Sequence, residues 1–184
     1  FEPVGADLAY NVETYLTPGR FYRLSRGQSI PTALQVTSPV KFDDVEVVRQ
    51  FATSRDGARV PVNIIRKKGL RLDGSHPALL YGYGGYGINQ TPGFLGGVRR
   101  VWFDAGGVYA VANIRGGGEY GEEWHRNGML TRKQNVFDDF VAAAELLVKE
   151  KVTNPARLAI RGGSNGGLLV GAALTQRPEL FRAV

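Results

Sequence analysis

The 184-residue chain reads as an α/β protein that opens with antiparallel β structure. Three observations carry that reading. From His76 onward, short apolar runs of strand length alternate with segments of helical spacing, the sign of a mostly parallel sheet covered by helices. Before His76 the runs are broken instead by Pro-Gly and Asp-Gly pairs, which join antiparallel strands. The third is Gly162-Gly163-Ser164-Asn165-Gly166-Gly167, a G-x-S-x-G pattern between a strand-like and a helix-like run.

Taken in chain order, Asn11–Leu16 is expected as a strand, Thr17-Pro18-Gly19 as a turn with proline and glycine at its centre, and Arg20–Leu24 as the return strand. Ser25–Pro39 is polar, is punctuated by Pro31 and Pro39, and reads as a connection. Val45–Phe51 and Val60–Ile65 form a second hairpin across Ser54-Arg55-Asp56-Gly57, where Asp-Gly is the turn signal. Pro77–Tyr81 is a buried strand running into a glycine-rich loop at Gly82–Gly87, and Val108–Asn113 is another, ending at Arg115-Gly116-Gly117-Gly118. Val136–Lys151 is the clearest helix, because Phe137, Phe140, Val141, Ala144, Leu147 and Val148 fall on one face. Asn135 is its candidate cap, and Asp138 and Asp139 lie where the helix dipole favours negative charge. Thr153-Asn154-Pro155 breaks the chain before Leu158-Ala159-Ile160, the strand that leads to Ser164.

That last strand, its glycine-flanked serine and the helical run after it have the form of a nucleophile elbow. A serine so placed is held in a strained backbone conformation, so its neighbours must carry little side chain. Glycines 162, 163, 166 and 167 meet that need. The turn projects the hydroxyl out of the sheet and puts the Asn165 amide at a helix N-terminus, where a developing oxyanion is stabilised. Phosphate-binding loops fit poorly, since there is neither a Gly-Lys-Ser/Thr ending nor a G-x-G-x-x-G with its distal acid.

Composition narrows the function classes. Hydrophobic residues make up 43% of the chain, and no apolar run approaches the ~20 residues of a membrane span. Cysteine is absent, which removes disulfides and thiolate metal sites. With only two histidines, His76 and His125, a histidine metal centre is not expected, and no metal or organic cofactor is. The net charge of +6 arises from scattered doublets such as Arg99-Arg100 and Arg132-Lys133, so no nucleic-acid partner is expected. Phe1 and Val184, the latter directly after an apparent helix start at Pro178–Phe181, do not look like natural termini, and a longer parent protein is expected.

Four motifs then occur in a recognisable order: Tyr81-Gly82-Tyr83-Gly84-Gly85-Tyr86; Ala112-Asn113-Ile114-Arg115-Gly116-Gly117-Gly118-Glu119-Tyr120-Gly121; Lys133-Gln134-Asn135 with Phe137-Asp138-Asp139-Phe140; and Gly162–Gly167. In this the chain resembles the prolyl oligopeptidases, serine peptidases of which it looks like a bacterial member. The resemblance covers nearly all of residues 40–184, and residues 1–38 resemble the closing strands of the β-propeller that precedes the hydrolase domain in that family. It implies two parts: 1–38, propeller strands and linker, and 39–184, the N-terminal part of an α/β-hydrolase domain through the nucleophile elbow.

The resemblance also implies roles. Ser164 matches the nucleophile that forms an acyl-enzyme, the Asn165 amide one oxyanion donor and the Tyr83 phenol the other; Tyr86 matches an aromatic residue bordering the proline pocket. Read from the residues alone, Tyr83 and Tyr86 serve equally well to cover a sheet edge. Arg115 is expected to make a structural ion pair with a carboxylate such as Glu119 or Asp139, and Trp124 and His125 to pack within the domain. His125 is tempting as general base, but the family's order of serine, aspartate, histidine gives neither histidine that place. The acid and base are thus expected from a remainder of the catalytic domain, without which the segment is expected to be inactive. The implied activity is cytoplasmic hydrolysis of short proline-containing peptides on the carboxyl side of proline, with no membrane partner. Two other readings stay open: an oligopeptidase B-like enzyme cutting after basic residues, and a non-catalytic fragment or pseudo-enzyme acting as an interaction module.

Overall fold

A computed structural model describes residues 2–184, which form two compact units. The first ends at Val45 and takes in Thr91–Val101; the second comprises Glu46–Gln90 and Trp102–Val184. The motifs alone divide the chain elsewhere, between residues 38 and 39.

The first unit is built on a four-stranded antiparallel sheet in sequential order: β1 (Glu2–Val4), β2 (Asp7–Val12), β3 (Arg20–Ser25) and β4 (Gln28–Gln35). Tyr10 lies directly opposite Tyr22 and stacks on it with ring centroids 5.5 Å apart. Two expectations change here. β2 stops at Val12, because the Thr14 hydroxyl takes the amides of Leu16 and Thr17 and folds Glu13–Gly19 into a loop. The stretch read as a connection holds β4, with Pro31 inside it; β4 is an edge strand whose pairing with β3 shifts register between Arg20 and Tyr22, and a proline is tolerated there. Elsewhere in the unit, Phe42 meets Phe94 edge-on at 5.7 Å, and Arg100 binds both carboxylate oxygens of Asp44.

The second unit carries a five-stranded sheet ordered β5-β6-β8-β7-β9, formed by β5 (Val45–Thr53), β6 (Arg59–Lys67), β7 (Ala78–Tyr81), β8 (Val108–Ala112) and β9 (Leu158–Arg161). β6 runs antiparallel to β8, whereas β7 is parallel to both β8 and β9. All five residues of β8 are buried, so this strand reads as an unbroken apolar run rather than an alternating one. The β5–β6 turn forms as expected: Gly57 at φ 88 donates to Ser54 O, and the Asp56 carboxylate accepts from the Ala58 amide.

Among the described residues, α1 (Gly96–Asp104) begins in the segment that belongs to the first unit, and α2 (Glu122–Arg126), α3 (Gln134–Lys149) and α4 (Asn165–Gln176) lie in the second. The pattern-based reading missed α1 and α2, since α2 is a five-residue helix and α1 buries only Phe103. α3 puts Phe140, Ala143, Ala144 and Leu147 into the core with Leu80, Ala110, Ile160 and Leu169. Asn135 does not cap it. The helix begins two residues earlier, at Gln134, with Lys133 at the N-cap, and the Asn135 side chain donates to Asn127 O instead. The expected helix start at Pro178 is a single 3-10 turn, Pro178–Leu180. Beyond it the backbone runs parallel to the outer edge of β9, with Ile160 N donating to Ala183 O at 3.0 Å and Arg182 N to Leu158 O at 2.7 Å. No helix among the described residues is long and apolar enough to cross a membrane.

Candidate active site

The site lies at the C-terminal end of the parallel strands. β9 delivers the chain through Gly162 and Gly163 to Ser164, and α4 begins at the next residue. Ser164 adopts φ 54 and ψ −120, a region that an L-residue occupies only under strain imposed by its surroundings. Gly162 explains why the flanks must be small: a β-carbon there would collide with the backbone of Gly166. Gly166 N donates to Gly163 O and Gly167 N to Ser164 O, both at 2.8 Å, which closes the first turn of α4. Among the described residues the Asn165 amide makes no backbone hydrogen bond, and it stands at the positive end of the helix dipole. Ser164 is exposed, and its hydroxyl neither caps the helix nor bonds another described residue.

The loop after β7 reaches the same place. Tyr83 is half-buried, and its phenol has no hydrogen-bond partner among the described residues, which leaves the proton available to an incoming oxygen. The Asn165 carboxamide donates from Nδ2 to Tyr83 O at 2.7 Å. The Lys133 ammonium, arriving from the start of α3, donates to Gly84 O at 2.8 Å and lies 3.4 Å from Asn165 Oδ1. This settles which way the amide points: its oxygen faces a group that only donates, and its nitrogen a carbonyl that only accepts. Lys133 is half-buried, has no carboxylate partner among the described residues, and burial pushes its pKa down.

Tyr86 sits on the same loop at φ 56, 78% exposed. It borders an open cleft of about 440 Å3 lined also by Gly85, His125, Met129, Leu130, Lys133 and Asn165. Leu130 shares its two unusual properties, a positive φ of 50 and an exposure of 81%. Sequence reasoning missed Met129, Leu130 and Lys133. Lys133 stood within a quoted motif but without a role, and nothing in the order of residues shows that it folds back onto a loop 49 positions earlier.

A polar frame supports this surface. Arg115, 5% exposed, donates from Nε to Asp139 Oδ2 at 2.9 Å and from Nη2 to Asp56 Oδ1 at 3.0 Å. The Asp139 carboxylate is fully buried and also accepts the Arg115 amide at 3.0 Å. Of the two partners expected for Arg115, Asp139 is present; Glu119 instead accepts from Gln90 N and Asn113 Nδ2, tying the loops after β7 and β8 together. Gly87 N donates to Gly116 O at 3.0 Å, and His125 Nδ1 lies 2.9 Å from the same oxygen. Because a carbonyl only accepts, that ring nitrogen carries the proton. His125 is thereby anchored to a loop rather than to Ser164, and His76 is engaged with Arg71 O at 2.8 Å.

A β5-β6-β8-β7-β9 sheet with one antiparallel member near its edge, and a strained serine between its last strand and a helix, is the first part of an α/β-hydrolase. Comparison with known proteins narrows this further. Residues 96–184 match the sequence model of the prolyl oligopeptidase family. The prolyl endopeptidase of Elizabethkingia miricola is 44% identical over 183 residues, covering 98% of this chain and 26% of that protein. A solved prolyl endopeptidase superposes with a TM-score of 0.91 at 52% identity, covering 95% of this chain and 26% of the other. Oligopeptidase B of Leishmania major superposes with a TM-score of 0.88 at 34% identity, over 97% of this chain and 25% of its own. Over nearly its whole length the chain is similar to members of the prolyl oligopeptidase family, and it spans about a quarter of the length of the curated relatives it matches.

Proposed function

We propose that this chain carries the nucleophile and both oxyanion donors of a serine endopeptidase that cleaves short peptides on the carboxyl side of proline. The observation that carries the reading is the exposed, unpartnered Ser164 hydroxyl at φ 54 on the step from β9 to α4. In this reading Ser164 Oγ attacks the carbonyl carbon of the proline residue, its proton passes to a histidine, and the carbonyl electron pair moves onto oxygen. The Asn165 amide and the Tyr83 phenol hold that oxygen, each contributing about 3 kcal/mol to the transition state. Collapse of the intermediate expels the amine, which takes the proton, and leaves an acyl-enzyme that water hydrolyses. Tyr86 borders the pocket for the proline ring. The aspartate and histidine of the triad come from the rest of a longer protein. Residues 1–38 contribute the closing strands of a propeller and a linker, and the whole works in the cytoplasm.

Greater identity to prolyl endopeptidase than to oligopeptidase B favours proline over a basic residue before the scissile bond. Two measurements on the full-length protein test the proposal. A fluorophosphonate probe is expected to label Ser164 and to leave Ser164→Ala unlabelled; no labelling of the wild type would mean a non-catalytic module. Fluorogenic peptides ending in proline are expected to be cleaved faster than those ending in arginine, and the reverse order would reassign the enzyme to the oligopeptidase B type.

A further inference from the structure

We infer that Lys133 is a positioning residue of this site, fixing the Tyr83 loop and the Asn165 carboxamide to one another so that the two oxyanion donors keep one mutual geometry. The inference rests on the roles proposed above for Ser164, Asn165 and Tyr83. Three contacts close the arrangement: Lys133 Nζ to Gly84 O at 2.8 Å, Lys133 Nζ to Asn165 Oδ1 at 3.4 Å, and Asn165 Nδ2 to Tyr83 O at 2.7 Å. One donor of the proposed pair is the side chain of Tyr83 and the other the backbone of Asn165. The ammonium thus bonds the residue after the first donor and the side chain of the second.

Stability does not account for a lysine here. Lys133 occupies the N-cap of α3, where the helix dipole disfavours a positive charge, and it caps nothing with its side chain. It is half-buried, with no carboxylate among the described residues to offset the desolvation of its charge. A residue that works against its helix and its surroundings, yet has both hydrogen bonds directed at one loop and one amide, points to a role in the site. The loop it holds needs such a clamp. Gly84 has φ 63, Gly85 follows it, and neither has a side chain that could fix the segment by packing. The contact between loop and amide is also close: a β-carbon on Gly85 would lie 2.7 Å from Asn165 Cγ.

The test uses the full-length protein and two ligands that share a proline-ending peptide. In the first, a peptide aldehyde, the Ser164 hydroxyl adds across the carbonyl to give a hemiacetal whose oxygen occupies the donor site. The second, the corresponding alcohol, binds without forming that oxygen. Lys133→Met is expected to lower kcat about 100-fold and to weaken the aldehyde by a similar factor. KM and the affinity for the alcohol are expected to stay within about threefold, because ground-state binding does not use the donors. Lys133→Arg is expected to recover part of kcat. Equal weakening of aldehyde and alcohol, or an unchanged kcat, overturns the inference. Should Lys133→Met fail to fold, Lys133→Gln carries the same test: a lower ratio of aldehyde to alcohol affinity supports the inference, and an unchanged ratio overturns it. Ser164→Ala separates the two levels of the argument. If it hydrolyses the peptide as well as wild type, the proposed function falls and the inference with it. If it is inactive while Lys133→Met, or Lys133→Gln in its place, keeps wild-type kcat and aldehyde affinity, the inference alone falls.

Discussion

Tyr83 is the residue whose chemistry is most open to direct measurement. Its phenol has no partner among the described residues, so replacing it removes no hydrogen bond seen there and leaves none of their buried groups unsatisfied. Tyr83→Phe in the full-length protein is therefore expected to leave stability unchanged and to lower kcat by about 100- to 1,000-fold with little change in KM, the pattern of a bond made only in the transition state. Steady-state kinetics with a proline peptide, alongside a thermal melt, checks both halves. Ser164→Ala is expected to cost on the order of a millionfold in kcat, because the nucleophile and its base act as a unit. Tyr86 differs from both. At 78% exposure it packs on little within the chain, so Tyr86→Ala is expected to raise KM for proline peptides with almost no effect on the melting temperature.

The elements matter through where they end. β7, β8 and β9 are parallel neighbours, so the loops that follow them emerge on the same side of the sheet. Gly116 shows how closely two of those loops approach. It has φ 87, and a β-carbon on it would lie 2.5 Å from Gly84 O. Gly116→Ala must both adopt a disfavoured backbone and push the Tyr83 loop aside, with the conformational part alone worth about 1–3 kcal/mol. The expected result is a lower melting temperature together with a loss of activity. Gly171→Ala, where a β-carbon meets nothing within 4 Å and the residue lies inside α4, serves as the control and is expected to stabilise by up to about 1 kcal/mol.

Across the molecule, the second unit is held by its apolar core and by one buried polar knot. Arg115 joins Asp139 of α3 to Asp56 of the β5–β6 turn, positions 24 and 59 residues away. Removing Arg115 leaves the fully buried Asp139 carboxylate uncompensated, so Arg115→Met is expected to destabilise by about 3–5 kcal/mol. Pairing it with Asp139→Leu is expected to recover much of that loss, and denaturant unfolding of both variants measures the difference. Asp56 adds a pH dependence. Its hydrogen bond to Arg115 holds its pKa below the usual 3.8, so its contribution is complete above that pH and is lost as the pH falls beneath it. Half of its side chain is exposed, which keeps the contribution small. Asp56→Asn is expected to flatten the acid limb of the stability curve below pH 3.8 and to leave its neutral region nearly parallel to wild type.

The elbow was legible in the chain because everything it needs is local: four small residues around Ser164, an apolar run before it and a helical run after it. The apolar runs of β7, β8 and β9 and the helical period of α3 were legible for the same reason, since burial is imposed residue by residue along an element. α1 was not, because it buries one residue and so carries no face to detect. Nor was β4, where an edge position makes Pro31 compatible with a strand. Amino-acid order thus singled out Ser164, Asn165, Tyr83 and Tyr86 as candidates, and the four motifs carried the resemblance. It said nothing about Lys133 folding back onto Gly84, about Asp56 joining Arg115, or about Asn165 gripping the Tyr83 backbone. Those pairings depend on how separate segments are brought together, and only packing in three dimensions fixes the distance between groups far apart along a chain.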